Sequence, residues 1–340
     1  MIDVSVDISG IAISCDESVL GINIGNGYSL EKMDWDAFPH KAQVTDGGGN
    51  LILEYKDAQL VDKEGIFIIS LIKHDDFQID EPVTIPGETR TLDDLMLCEP
   101  LDLYKENEIA YLYELMALLR LFHGGNIGFY EVFFEYRFKT FGVINTQIHH
   151  KTQFRSRNVT DHRKFTLTKQ ELIECNQFLA DNKGMPFKLL QASIDEFIWG
   201  MGQIDIPTGF EQYTTALEMT LLEKDAQNKK KMLANRVAIL IGTSPADITQ
   251  IHANMLSYYR FRSESLHEGS GANISTTELH SLEEYVRNVL KRCLVRCKQE
   301  ITANAAITWD EIKQKIIADL KTRVANAKSA GILPPHEKFP

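Results

Sequence analysis

Chemistry is concentrated in one stretch, Tyr258-Tyr259-Arg260-Phe261-Arg262-Ser263-Glu264-Ser265-Leu266-His267-Glu268-Gly269-Ser270-Gly271, where an arginine stands five positions ahead of a histidine. A guanidinium can fork onto phosphate oxygens and cannot lose its proton. An imidazole can take or give a proton near neutral pH. Together they suit phosphodiester chemistry. The same two residue types are also met as a helix-end arginine on a carbonyl and a histidine on the surface. The pattern before the pair is apolar-periodic, so Arg262 is expected where a helix ends and His267 just before a glycine-rich break.

The elements that must position this pair are helical. Thr168-Lys169-Gln170-Glu171, Ser275-Thr276-Thr277-Glu278 and Thr308-Trp309-Asp310-Glu311 have the capping-box form, and Ser244-Pro245 puts proline first behind a serine cap. These signals predict helices over 168–182, 186–203, 208–224, 227–241, 245–262, 276–304 and 309–327, joined by short connections as in an antiparallel bundle. On the helix after the pair, Arg287, Lys291, Arg292 and Arg296 recur at helical spacing, either as a stripe that tracks phosphates or as an ordinary solvated face. Lys229-Lys230-Lys231 reads as solvated surface. Tyr258 and Tyr259 could stack on a base, although tyrosines beside an apolar helix face are usually core.

The first half reads differently. Ile2 to Ile8 alternates as a half-buried strand does, and Leu20–Ile24, Leu51–Tyr55 and Ile66–Ile72 are further strand candidates. Asp46-Gly47-Gly48-Gly49-Asn50 reads as a hairpin turn, since no phosphate-loop lysine follows it. A helix is expected over 105–123, then strands over 127–138 and 141–148. His149-His150-Lys151 and Arg155-Ser156-Arg157 are expected in a solvated loop, because adjacent residues of extended chain face opposite ways and do not share a ligand.

A length of 340 residues suggests two domains. Five scattered cysteines argue against a disulfide framework, and Cys293 and Cys297 read as packed thiols on one helix face. The absence of a membrane-length apolar run and of a signal-peptide pattern leads us to expect a cytoplasmic protein with no membrane partner. The net charge of −12 is unevenly spread. Residues 1–204 hold 18 Lys and Arg against 32 Asp and Glu, and residues 205–340 hold 18 against 16. The acidic excess therefore does not weigh against an RNA partner for the second half.

Three blocks, in order, carry a family resemblance: Phe210 to Leu222 (FEQYTTALEMTLL), Lys231 to Gly242 (KMLANRVAILIG) and Tyr258 to Gly269 (YYRFRSESLHEG). Over about residues 205–325 the chain resembles the HEPN superfamily, in its Apea-like branch; no family is suggested for residues 1–160. The resemblance implies a compact helical bundle, often dimeric, whose active members cut RNA without a metal or other cofactor. It implies Arg262 and His267 as catalytic residues, with Ser263 in the polar position after the arginine where Asn, Asp or His is commoner. Glu218 and Arg236 match recurrent polar positions and are carried over as supports. Glu218 could orient Arg262 or His267, or pair with Arg236 as architecture.

The expected fold class is α+β, a β-rich N-terminal domain followed by an all-α HEPN-type bundle. The expected domains are an acidic sensing or regulatory domain over 1–160, a helical connector over 161–204, the bundle over 205–330 and an irregular tail over 331–340. The function that follows is a toxin-like or antiphage endoribonuclease with RNA, and by analogy transfer RNA, as substrate. It would act as a homodimer and could answer to a protein or phage trigger through the first domain. A non-catalytic HEPN dimerisation or interaction protein is the alternative.

Overall fold

The structure, a computed structural model, describes residues 1–45, 58–61, 65–80, 99–138, 146–150, 163–203, 205–268 and 275–335. The glycine run 46–50, the strand expected over 51–55 and the basic residues 151–157 lie outside these. The described residues fall into two compact units, the first reaching Leu179 and the second beginning at Ala180. The stretch 161–204 is thus shared between them.

The first unit is built on an antiparallel sheet of six strands. They are β1 (Ile2–Ile13), β2 (Ser29–Asp34), β3 (Leu60–Val61), β4 (Ile66–Ile79), β5 (Gly128–Phe138) and β6 (Thr146–His150). The order is β2-β4-β1-β5-β6, with β3 also pairing β4. The alternation that marks β1 does put Ile2, Val4, Val6 and Ile8 in the core. The strand expected over Leu20–Ile24 does not form. Glu17–Gly21 is a short 3-10 turn instead, because the Asp16 carboxylate accepts the Ser18 N–H at 3.0 Å and closes a local cap. His149 and His150 are not in a loop either. The β5 ladder carries the sheet through them, pairing His149 with Phe133 and His150 with Val132.

A one-turn helix, α1 (Lys41–Val44), precedes the long α2 (Glu99–Phe122). Leu112, Leu115, Met116 and Leu119 are buried along α2 at spacings of three and four. The helix is tied to the sheet by charge as well. Lys73 of β4, only 5% exposed, meets Glu108 of α2 at 2.8 Å and lies over the rings of Tyr28 and Tyr104. A buried lysine survives only with such a partner. After β6 the chain returns along the same unit: the Phe165 N–H donates to Ser14 O at 2.8 Å, and Asn176, on α3 (Lys169–Asn182), accepts the Asn23 N–H at 2.7 Å.

The second unit is helical: α4 (Met185–Met201), α5 (Ile206–Leu221), α6 (Lys229–Ile241), α7 (Pro245–Glu268), α8 (Thr276–Ala303) and α9 (Trp309–Ser329). The capping boxes expected from sequence are present. Ser275 and Glu278 close the start of α8, and Thr308 and Glu311 that of α9, each by two reciprocal hydrogen bonds. Thr168 and Glu171 do the same before α3. Within the unit, α4 packs on α5 and α8, and α6 on α7. Cations close the exposed carbonyl ends of two helices. Arg236 and Lys313 donate to Leu221 O and Met219 O of α5, and Arg323 to Ile239 O of α6. Cys293 and Cys297 are buried on one face of α8, where burial pushes both thiols up, that of Cys297 to about 12. No helix among the described residues is long and apolar enough to cross a membrane.

Candidate active site

The candidate site is organised by α7. Its first turn is fixed by Ser244, whose Oγ accepts the Asp247 N–H at 3.2 Å. Its end differs from expectation. The helix does not stop at Arg262 but continues to Glu268, so His267 lies on the last turn of the helix that carries the arginine. Nothing between Ser263 and Glu268 forbids this: the first glycine comes at 269, glutamate is a good helix former and serine only mildly disfavours a helix interior. Along a regular helix, five positions separate two residues by about 7.5 Å in rise and about 140° in rotation. Arg262 and His267 therefore do not share one helix face.

Arg262 is mostly buried, with 19% of its side chain exposed, and its partners come from two helices. Its Nη1 donates to Glu218 Oε1 of α5 at 2.5 Å and to the Tyr259 hydroxyl, one turn earlier on α7, at 3.4 Å. Lys229 Nζ, at the start of α6, stands 3.6 Å from the other Glu218 oxygen. One carboxylate thus faces two cations, and the cluster keeps a net positive charge. Nε of Arg262 is buried and has no acceptor among the described residues. Burial, with the Glu218 charge second, pushes the Tyr259 phenol up, which keeps it neutral.

Pairing of Glu218 with Arg236 as architecture does not occur. Arg236, 3% exposed, instead grips Glu223, with Nη1 at 2.6 Å and Nη2 at 3.2 Å. The hydrogen bonds from Arg236 outweigh desolvation and hold the Glu223 carboxyl down at about 2. Glu218, half-buried as its apolar neighbours suggested, is left to Arg262 and Lys229.

The expected basic stripe is divided by the packing. Arg287 is 1% exposed, lies over the Phe197 ring and pairs with Glu283 and Glu284 of its own helix. It is a core residue, not part of a solvated face. Lys291 is half-buried, and burial, then the charge of Arg287, lowers its pKa. Arg292 and Arg296 are exposed, the latter 2.6 Å from Glu300. Tyr258 is core, edge-on to Phe210.

Sequence reasoning missed Tyr259 and Lys229 as members of the Arg262 cluster. The signal for Tyr259 was available, since it stands three positions before Arg262 and shares its face. Nothing local places Lys229 there, because that depends on how α6 meets α5. The chain matches no protein-family model, no curated protein and no solved structure.

Proposed function

We propose that the protein is a metal-independent HEPN endoribonuclease, acting in the cytoplasm as a toxin-like or antiphage effector. The observation that carries this reading is the handling of Arg262. It is held in place by Glu218 and Tyr259, shares Glu218 with a second cation, Lys229, and lies on the helix that also carries His267.

The chemistry needs little more. RNA supplies the nucleophile, its own 2′-hydroxyl. His267 takes that proton, the 2′-oxygen forms a bond to phosphorus, and the 5′-oxygen leaves with a proton returned to it. Arg262, supported by Lys229, stabilises the charge that develops on the phosphoryl oxygens. The products are a 2′,3′-cyclic phosphate and a 5′-hydroxyl. The rotation between Arg262 and His267 along α7 favours a homodimer in which the histidine of each copy serves a shared cleft. Transfer RNA is the substrate class we favour by analogy. The acidic first half, which would repel RNA, suits a sensing or restraining part that answers to a protein or phage trigger.

The half-buried Glu218–Arg262 pair also supports a second reading, a HEPN interaction protein in which the arginine is architecture. One experiment separates the two. Wild-type protein and His267→Ala are incubated with total RNA in EDTA and the ends mapped. Cleavage to cyclic-phosphate ends by the wild type, reduced about 10²–10⁴-fold in the variant, is expected of general acid–base catalysis. Equal cleavage by both proteins would reject the role of His267, and intact RNA with both would favour the interaction protein.

A further inference from the structure

A cavity of about 360 Å³ opens in the helical unit between the end of α6 and the facing sides of α8 and α9. Four of its lining residues are cations, Arg292 and Arg296 from α8 and Lys315 and Arg323 from α9. Their spacing explains the convergence: each pair is four or eight positions apart and so projects along one helix face. Against them stand Asp319, also in the lining and 3.6 Å from Arg323, and Glu300, which pairs with both Arg296 and Lys315. Four positive charges face two negative ones, and Arg292 has no ion pair among the described residues.

Gln299 adds one neutral polar side chain to the wall, and Leu240, Cys293, Val295, Ile316 and Leu320 supply its apolar part. Ile316 and Leu320 are buried, whereas Val295 lies in the lining with 52% of its surface exposed. Arg323 is fixed by its bond to Ile239 O at 2.6 Å, so one of the four cations is already immobilised. A pocket of this size lies at the lower end of the range for small-molecule sites, about 300–1,000 Å³. Concentrated positive charge against a low-dielectric wall draws a multiply charged anion.

We infer that this cavity binds a phosphorylated small molecule, its phosphates on the four cations and its organic part over Val295 and Ile316. The site is separate from the Arg262 cluster. Lys229 belongs to that cluster and Leu240 to the cavity, and their separation along α6 is about 16 Å at the helical rise per residue.

Calorimetric titration of the full chain with inorganic pyrophosphate and with ATP tests it. Arg292→Glu is the informative variant, because Arg292 is exposed and its loss breaks no ion pair, and an unchanged thermal midpoint will show that the fold is intact. Both ligands are expected to bind the wild type, ATP the more tightly, and Arg292→Glu to weaken each by about tenfold or more. Val295→Ser should weaken ATP and leave pyrophosphate unchanged. Absence of binding of either ligand at about 1 mM would overturn the inference, as would binding insensitive to Arg292→Glu. A 2′-O-methyl oligoribonucleotide forms the remaining arm. If it binds in an Arg292-dependent way while ATP and pyrophosphate do not, the surface is a nucleic-acid contact and the small-molecule inference fails.

Discussion

Glu218 is the residue on which the Arg262 cluster turns. Its two oxygens serve two cations from different helices, Arg262 at 2.5 Å and Lys229 at 3.6 Å. Removing it leaves the mostly buried Arg262 guanidinium without its carboxylate, while Lys229, 45% exposed, keeps its water. Glu218→Ala is therefore expected to destabilise the protein by about 1–3 kcal/mol, the usual cost of stranding partly buried partners, read as a shift in the urea midpoint. Arg262→Ala strands no buried cation and leaves Glu218 with Lys229, so its stability cost should be smaller, while RNA cleavage should fall about 10²–10³-fold if Arg262 stabilises the reacting phosphoryl group as proposed. Arg262→Lys separates charge from shape. It keeps the cation but loses the planar guanidinium, whose Nη1 reaches both the Glu218 carboxylate and the Tyr259 hydroxyl, and recovery of less than about a tenth of the lost activity is expected. Full recovery in the lysine variant would mean that charge alone matters at this position.

Helix starts were legible in the chain because their signals are local. A serine or threonine three positions before a glutamate needs only its own turn to form a capping box, and the boxes at Ser275 and Thr308 formed as read. Ser275→Ala should accordingly cost about 1 kcal/mol and fray the first turn of α8, visible as faster amide exchange there. The end of α7 was less legible. Ser263-Glu264-Ser265 resembles a loop in composition, yet serine and glutamate are compatible with helix, and no proline or glycine stops it before 269. The strand expected at Leu20–Ile24 failed for the converse reason, a local side-chain bond from Asp16 that apolar content does not register. Arg287 shows where element-level reading ends. Helical spacing placed it on a stripe with Arg292 and Arg296, but which part of a helix face is covered depends on its neighbours, here Phe197 of α4 and Tyr213 of α5, whose hydroxyl reaches Glu283 at 3.3 Å. At the Arg262 site the Glu218 contact was among the readings the sequence offered, whereas Lys229 was not, since it reaches Glu218 only through the packing of α5 and α6.

Across the whole molecule, acidity should act on stability in two stages. His252, 7% exposed, has its pKa lowered from 6.5, first by burial and second by the charge of Lys328. The unfolded chain therefore binds a proton there before the folded one does, and stability declines as pH falls below 6.5 toward the depressed value. His74 works the other way: its bond to Asp7 raises its pKa, so its contribution is present below 6.5 and is lost as pH rises through the raised value. The carboxylates add a second stage. Glu223 is held at about 2 by Arg236, so the stability it contributes is present above 4.5 and lost between there and about 2. Glu171, Glu300 and Glu311 are lowered as well, each by hydrogen bonds it accepts, and reinforce the same limb. Urea midpoints measured from pH 8 to pH 3 are expected to fall gently below about 6.5 and steeply below about 4.5, near the unperturbed carboxylate range. His252→Asn should flatten the first decline. Glu223→Gln should lower the midpoint at neutral pH and flatten the second, because the group whose protonation drives it is gone. A steep limb that survives in Glu223→Gln would move the origin of acid lability from the Arg236 pair to the capping glutamates, whose bonds are repeated at the starts of α3 and α9.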